Sequence, residues 1–595
     1  MIRRRPRGEP VHPTRAEIRS GWRFLAALPG RGWRLVAHLW RSSRATTLLV
    51  LVATGAVALT LALLGTGGDE IWEIICTLGL AALVLAVSED HRTMGAVVVV
   101  VLGLSLIGTL AGPRWRPEPV PNPLLPASTS TAIGGNAVTV PVGTYQVETT
   151  TVTITQADGE QLPALLRRPL GIKTGTPGVV FLHGAGTQSI DGFAEQAQAL
   201  ASAGATTIVP SKPMEDYSLT ERDYISMAND YRASVDYLRS LPGVDPGHVG
   251  LYAESEGAIP GVILAAEDPQ VAFLVLASAP IVSLREQAAF AADSYLRDVG
   301  VPEPLMRIIP RVLGASQVPG GFEYADVDPA AYEQRLTQPI LMLYGTADRS
   351  MPVVQGPLRV WDSIQVNGNH QLTVRYYADA NHGLKLGGDT DGPLAPGVAR
   401  DLARWVTGLP ATADAAPRVA GATPTQEHRA SRPGATRWYA SGDLMLAGIV
   451  AGLGLVAAAG AGWGLGQLPR LGGRAGLRLP APIGRWTVSL CLSVLGTWAL
   501  YLVYIGAVIR LALDQETNAW ISYGGWLAAQ VSALLTLVIL VKVVQRAWRM
   551  CRTRRTTGGP RFLTRPAAGV LASALIGTIV LLLELAYWGL FPMLY

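Results

Sequence analysis

Cysteine is nearly absent: Cys76, Cys491 and Cys551 are the only three in 595 residues, and none falls between 77 and 490. That spacing excludes a disulfide-built domain, so the middle of the chain must hold its core by packing. Charge is also scarce. Only 16% of residues are Asp, Glu, Lys or Arg, against about 25% in soluble globular chains, which excludes a purely soluble enzyme of this size. Lysine is rarer still, with Lys173, Lys212, Lys385 and Lys542 the only four among 49 basic residues. The Arg, Ala and Gly bias is that of a GC-rich genome, so the net charge of +5 is not read as a nucleic-acid signature. Outside residues 15–44, no aromatic-interleaved basic patch supports that class, and no cofactor motif or metal-ligand spacing is present.

What is present in excess is apolar sequence: 49% of residues are hydrophobic and the mean hydropathy is +0.28. Seven runs approach the roughly 20 residues that span hydrocarbon. They lie near 45–67, 71–88, 93–112, 443–466, 486–509, 523–544 and 567–591. The first is too long, and preceded by too many arginines, for a cleaved signal peptide. Arg and Lys near the span ends set orientation. With the N-terminus cytoplasmic, 24 basic residues face inside, and only Arg114, Arg116, Arg429, Arg432, Arg437 and Arg510 lie near the membrane outside. The organisation expected is a basic segment at 1–44, three spans in 45–112, a linker at 113–143, a domain at 144–408, a linker at 409–442 and four spans in 443–595. The protein is then a multi-pass membrane protein with its middle domain outside the cytoplasm. Residues 15–44 interleave Trp22, Phe24, Trp33 and Trp40 with arginines. That pattern suits either an interfacial helix on anionic lipid or an ordinary positive-inside anchor.

Between the linkers the periodicity changes. Tyr145 to Thr155 alternates and is β-branched, and Asp158-Gly159 marks a turn into Gln161 to Arg167, which predicts a hairpin. Short apolar runs at 178–182, 206–209, 249–253, 271–277, 339–344 and 372–377 alternate with helical patterns. Strand alternating with helix predicts an α/β domain with a mainly parallel sheet, whose ligands bind beyond the carboxyl ends of the strands.

Three motifs fall at those ends. Ala253-Glu-Ser255-Glu-Gly257 follows a strand and precedes a helix, with small residues two before and two after the serine, as a strained strand-to-helix turn requires. Asp348 lies three residues beyond Gly345, and His382 follows the last strand in Ala380-Asn-His-Gly383. A loop aspartate alone reads as a turn residue and a lone loop histidine as a surface residue; the order Ser, Asp, His at successive strand ends gives them meaning together.

On these motifs, residues 144–408 resemble an α/β-hydrolase, of the dienelactone-hydrolase-like and prolyl-oligopeptidase-like serine hydrolases. Val179-Val-Phe-Leu-His183-Gly184-Ala185-Gly186 is similar to that family's HGxG loop. The resemblance implies Ser255 as nucleophile, His382 as base and then acid, and Asp348 as the group that orients it. It implies an oxyanion hole from the backbone N–H groups of Ala185 and Glu256, worth about 3–4 kcal/mol per donor, with His183 bracing the loop and Gly184, Gly186, Ala253 and Gly257 shaping it. The Glu256 carboxylate is expected to face solvent, or else to disfavour anionic substrates. Residues 281–336 form either a lid over the acyl pocket or a packing element against the sheet edge or the membrane portion. Glu584 sits inside the last apolar run, within reach of Arg510 or interfacial water.

The function expected is cleavage of an ester, thioester or amide through an acyl-serine at the outer face of a bacterial membrane, with a lipid-like or envelope acyl substrate. The same chemistry admits acyl transfer, and a transporter or scaffold with a ligand-binding domain is the reading from another class. Oligomeric state stays open.

Overall fold

The computed structural model describes residues 91–592, apart from 121–123, 174, 219–220, 316–321, 388–391, 469–475 and 558–562. The basic segment at 1–44, the interfacial helix expected within it and the first two expected spans, with Cys76, lie outside the described residues.

The alternating Thr and Val of β1 (Val147–Thr155) pair antiparallel with β2 (Gln161–Pro169) across the Asp158-Gly159 turn, where Gly159 takes a φ of +96°. β3 (Thr176–Leu182), β4 (Thr206–Pro210), β5 (Val244–Glu254), β6 (Leu274–Ala277), β7 (Ile340–Gly345) and β8 (Leu372–Tyr377) run parallel to one another. Most read as unbroken apolar runs because helices cover both faces of the sheet. The strand order is β1-β2-β4-β3-β5-β6-β7-β8, with a short β9 (Val419–Gly421) at the far edge.

Helix α1 (His91–Leu110) precedes the sheet. Within the domain, α2 (Ala194–Ser202) and, later in the chain, Val398–Thr407 bury the apolar core that includes Phe181, Leu200, Leu402 and Trp405. α3 (Tyr224–Ser240), α4 (Ala258–Glu267) and Gln355–Ile364 cover the other face around Val180, Leu251 and Met342. Helix α3 starts where the Asp223 carboxylate accepts from the amides of Ile225 and Ser226, the capping that satisfies orphan N–H groups. α5 (Leu284–Val299) starts on a capping box of Ser283 and Glu286 and stops at Gly300 with φ +69°. In chain order, Gln355–Ile364 is α6 and Val398–Thr407 is α7.

Four helices after the domain are long and apolar enough to cross a membrane: α8 (Gly442–Gln467), α9 (Ala481–Leu513), α10 (Trp526–Thr557), continuous with a π-helical turn at Trp520–Gly525, and α11 (Arg565–Tyr587). α8 and α11 approach closely at small residues: a Cβ on Gly577 would stand 2.9 Å from the Gly452 carbonyl, the close backbone contact that apolar helices favour. Hydroxyls tie α9 to α10, with Ser493 Oγ 2.6 Å from Thr536 Oγ1 and Thr497 Oγ1 2.8 Å from Ser532 Oγ. The expected third span corresponds to α1, whose strongly apolar part, Gly95–Leu110, is shorter than a full span.

Two expectations are corrected here. Residues 409–442 are not a free linker: β9 pairs with β8, and residues 119–120 and 127–128 of the first linker bond to 427–428, 419 and 421. Proline-rich sequence reads as linker, yet it also suits edge strands, where the missing N–H is not needed. Arg510 does not meet Glu584; it pairs with Asp514 at 3.4 Å. One turn apart on α9, Asp514 is the nearer carboxylate, and Glu584 instead lies buried against Gly448.

Residues of the insertion at 281–336 pack against the apolar helices, one of the two placements expected. Ala289, Val299, Leu305, Met306 and Ile309 share one buried cluster with α9, α10 and α11. Ser522 donates to the Val299 carbonyl at 3.1 Å. The wholly buried Arg311 donates to the carbonyls of Gly108 and Tyr587, at the ends of α1 and α11, where a cation meets the negative end of the helix dipole. Of the two readings of this insertion, contact with the helical bundle is the one observed.

Candidate active site

The run Val249 to Ala253 at the carboxyl end of β5 is completely buried, and the chain then reverses through Ser255 at φ +55° into α4. Positive φ costs a non-glycine residue of order 1–3 kcal/mol, and the flanking small residues make the turn sterically feasible. A Cβ on Gly257 would meet the carbonyls of Leu182 and His183 at 2.7 Å, and one on Gly184 would stand 3.0 Å from Ser255 Cβ. Ala253 in turn needs a glycine opposite it on α4, since a Cβ on Gly261 would lie 2.8 Å from its own.

Three strand ends converge at this turn. Ser255 Oγ lies 2.9 Å from His382 Nε2, and His382 Nδ1 lies 2.8 Å from Asp348 Oδ2. The Asp348 side chain has no solvent exposure, whereas the His382 side chain is 38% exposed, so the imidazole edge stays reachable from outside. Ser350, unremarked in the sequence, donates to Asp348 Oδ1 at 2.7 Å and lies 3.2 Å from His382 Nδ1. Ser278, held at φ +46° just past β6, donates to the His382 carbonyl at 2.6 Å and fixes its loop. The sequence pattern Ala-Ser-Ala-Pro after a strand was the signal available for it.

His183 is fully buried beside this turn. Its Nε2 lies 2.8 Å from the Pro210 carbonyl and its backbone N–H donates to Tyr231. Burial pulls its pKa down to about 4, so at neutral pH it is an uncharged brace between the ends of β3 and β4.

Glu256 departs most from expectation. It is 3% exposed, and its carboxylate accepts from Lys212 at 3.2 Å, Tyr217 at 2.8 Å, Tyr224 at 2.7 Å and Arg222. Burial works against its charge, but Lys212, Tyr224, Arg222 and Tyr217 outweigh it and hold the carboxyl below its ordinary range. A buried carboxylate is tolerated only with partners of this kind, and they come from the loop after β4 and from the start of α3, 32 to 44 residues away in sequence.

The electrostatics of His382 follow from its neighbours. Burial opposes its protonation, but the Asp348 carboxylate and, beyond it, that of Glu254 raise its pKa to about 9. Burial also pushes up the carboxyl of Glu254, which accepts from Tyr252 at 3.3 Å. If His382 serves as a general base, which acts in its neutral form, turnover of an ester is expected to rise with pH through a midpoint well above the ordinary histidine value of 6.5. Glu254→Gln removes one of the charges holding the proton on and moves that midpoint down. A kcat/KM profile with its midpoint at or below 6.5 in the unsubstituted protein, or unmoved by Glu254→Gln, contradicts this account.

No metal-ligand spacing is visible in the sequence. Among the described residues, Asp158, Glu160 and Glu215 bring carboxylate oxygens within 4.8 Å of one another on the surface, an arrangement exposed acids adopt without an ion.

A family model described as BAAT / Acyl-CoA thioester hydrolase C terminal matches residues 230–386, a stretch that contains Ser255, Asp348 and His382. No curated protein matches the chain. Solved structures similar to it include a putative dienelactone hydrolase from Klebsiella pneumoniae subsp. pneumoniae MGH 78578, with 15% identity over 44% of this chain and 94% of that one and a TM-score of 0.30. The esterase domain of a Rhodothermus marinus protein gives 16%, 44%, 98% and 0.30 on the same measures. A Pyrococcus furiosus esterase gives 17%, 43%, 91% and 0.29. With the strand order and the family match together, the middle of the chain is an α/β-hydrolase superfamily domain, followed by four helices long and apolar enough to cross a membrane.

Proposed function

We propose that the protein is a membrane-embedded serine hydrolase that cleaves an ester, thioester or amide at the outer face of the membrane. The observation that carries this reading is the hydrogen-bonded chain Ser255 Oγ, His382 Nε2, His382 Nδ1 and Asp348 at 2.9 and 2.8 Å. In the reaction, Ser255 Oγ adds to the substrate carbonyl carbon as its proton passes to His382 Nε2. The oxyanion is held by the N–H groups of Ala185 and Glu256. Collapse expels the leaving group, which takes the proton from His382 and leaves an acyl-serine. Water, deprotonated by His382, adds to the acyl carbon; a second collapse releases the acid and returns the proton to Ser255.

Placement at the membrane favours an acyl substrate presented there. Helix α5 touches the Asp348 loop on one side, through Gln287 to the Ser350 carbonyl at 2.9 Å and Asp298 to Arg349 at 3.2 Å, and the apolar helices on the other. The site thus stands about one helix diameter, ~10 Å, from the bundle. Trp438 and Trp520, both largely exposed, precede α8 and α10 at the end of the bundle nearest the domain, as interfacial aromatics do. Arg546, Arg549, Arg552, Arg554 and Arg555 gather at the far end of α10.

A fluorophosphonate probe applied to native membranes should leave a covalent adduct that peptide mass spectrometry maps to Ser255. An adduct on another residue, or none, overturns the mechanism. Orientation is tested with an impermeant maleimide on intact cells. Cysteine introduced as Thr425→Cys, at an exposed position between the sheet and α8, should react, and the exposed native Cys551 should be protected until the cells are opened. The reverse pattern puts the domain in the cytoplasm.

A further inference from the structure

Lys212 follows β4 in the run Val209-Pro-Ser-Lys-Pro213, and its side chain is wholly buried. An ammonium has three donors, and three partners surround this one. The Gly184 carbonyl accepts at 2.8 Å, Glu256 Oε2 accepts at 3.2 Å, and the Tyr217 ring lies with its centroid 3.8 Å away. With all three directions occupied, Lys212 has no donor left for a substrate, so a direct role in binding is excluded.

Its two hydrogen-bond partners belong to the two segments that would hold the oxyanion. The Gly184 carbonyl and the Ala185 N–H are opposite ends of one planar peptide. Fixing that oxygen therefore aims the N–H the other way, and a cation on the oxygen polarises the N–H into a better donor. Glu256 supplies the second N–H, and its carboxylate is held by Arg222, by Tyr217 at 2.8 Å and by Tyr224 at 2.7 Å as well as by Lys212. The β3 loop and the serine turn are also in close contact at Gly184, Ser255 and Gly257, so a bridge of fixed length between them sets the spacing of the two donors. A lysine suits this place because a compact charge with three divergent donors reaches a carbonyl, a carboxylate and a ring face at once, where the planar fork of an arginine does not.

We propose that Lys212 is the positioning residue of the oxyanion hole, a buried ammonium that ties the Ala185 peptide to Glu256 and sets the geometry of both donors. The inference rests on the serine-hydrolase reading above and adds to it a residue outside the triad.

The test uses the full-length protein in detergent, with active sites counted by fluorophosphonate titration, turnover of p-nitrophenyl butyrate, and inhibition by an alkyl trifluoromethyl ketone, whose serine adduct carries an oxyanion. For Lys212→Met, kcat per titrated site should fall about 10²-fold, the loss typical of one oxyanion donor. KM should stay within about threefold, and Ki for the ketone should rise by the same factor as kcat falls. Glu256→Gln keeps the bond from Lys212 to Gly184 and should lose less, with Ki again rising in proportion. If Lys212→Met yields no titratable sites, Glu256→Gln carries the same proportionality. A merely structural role predicts fewer titratable sites with kcat per site and Ki unchanged; that result, in either variant, overturns the inference while leaving the serine mechanism standing. Failure of the unsubstituted protein to titrate or turn over overturns both.

Discussion

Ser255→Ala is expected to lower kcat for a short-chain ester by roughly 10⁴- to 10⁶-fold, the range seen when a serine nucleophile is removed, while the protein keeps its fold. The reason lies in what the substitution leaves alone. Ser255 is half-buried, and its hydroxyl bonds only to His382 among the described residues. Alanine therefore loses one partly buried hydrogen bond and keeps the φ of +55° that the turn already bears. Stability should move by less than about 1 kcal/mol. What disappears is the covalent step. Residual turnover can then come only from water attacking a carbonyl polarised by the oxyanion hole, so a residual rate above about a thousandth of the original, with unaltered thermal unfolding, would show that Ser255 is not the nucleophile.

Asp348→Asn is expected to cost about 10⁴-fold in kcat for a different reason. The carboxylate accepts from His382 Nδ1 at 2.8 Å and from Ser350 at 2.7 Å, and its pKa is held low by those bonds despite complete burial. An asparagine of the same shape presents either an amide oxygen without charge or an N–H₂ group. In the second arrangement Nδ1 must accept, the proton moves to Nε2, and the imidazole can no longer take one from Ser255. In either arrangement the charge that raises the His382 pKa is lost, so the activity that remains should show its pH midpoint well below 9. Asn substitution with less than a tenfold loss, or with an unmoved midpoint, would remove Asp348 from the mechanism. The two variants separate bond-making from proton handling: Ser255→Ala should abolish fluorophosphonate adduct formation outright, whereas Asp348→Asn should slow it and leave the same adduct.

Much of this domain is legible in the chain because its signals are local. The apolar runs that became β3 to β8 are each four to eleven residues long, and their alternation with helical periodicity fixes the class of sheet. The serine turn is legible for the same reason: small residues at 253 and 257 answer a steric demand that acts within five residues. Helices α8 to α11 follow from hydropathy and length, with ends within about five residues of those expected from the sequence except at the C-terminal end of α10, where the Arg-rich last turns continue the helix to Thr557, well past the expected 544. The Pro- and Ala-rich stretches at 113–143 and 409–442 misled because composition reports low helix and strand propensity and says nothing about a partner. Pro119 and Val120 pair with 427–428 from three hundred residues away.

Glu256 is the clearest case of what sequence alone could not supply. A glutamate beside a serine is exposed by default, and its burial depends on Lys212, Tyr217, Arg222 and Tyr224, which reach it only after β3 has paired between β4 and β5 and α3 has packed beside β5. The insertion at 281–336 behaves likewise: its amphipathic pattern specifies an apolar face, and two surfaces were available to cover it. By itself the sequence determined the α/β class, the apolar helices after the domain and the order of Ser255, Asp348 and His382 at strand ends, because periodicity and turn chemistry are properties of neighbouring residues. Only the tertiary structure decided that those three side chains meet within hydrogen-bonding distance, that Glu256 is caged and bridged to Gly184 through Lys212, and that Arg311 joins the domain to α1 and α11. Each of these is a contact between residues far apart in the chain, and its free energy exists only once the intervening segments have folded.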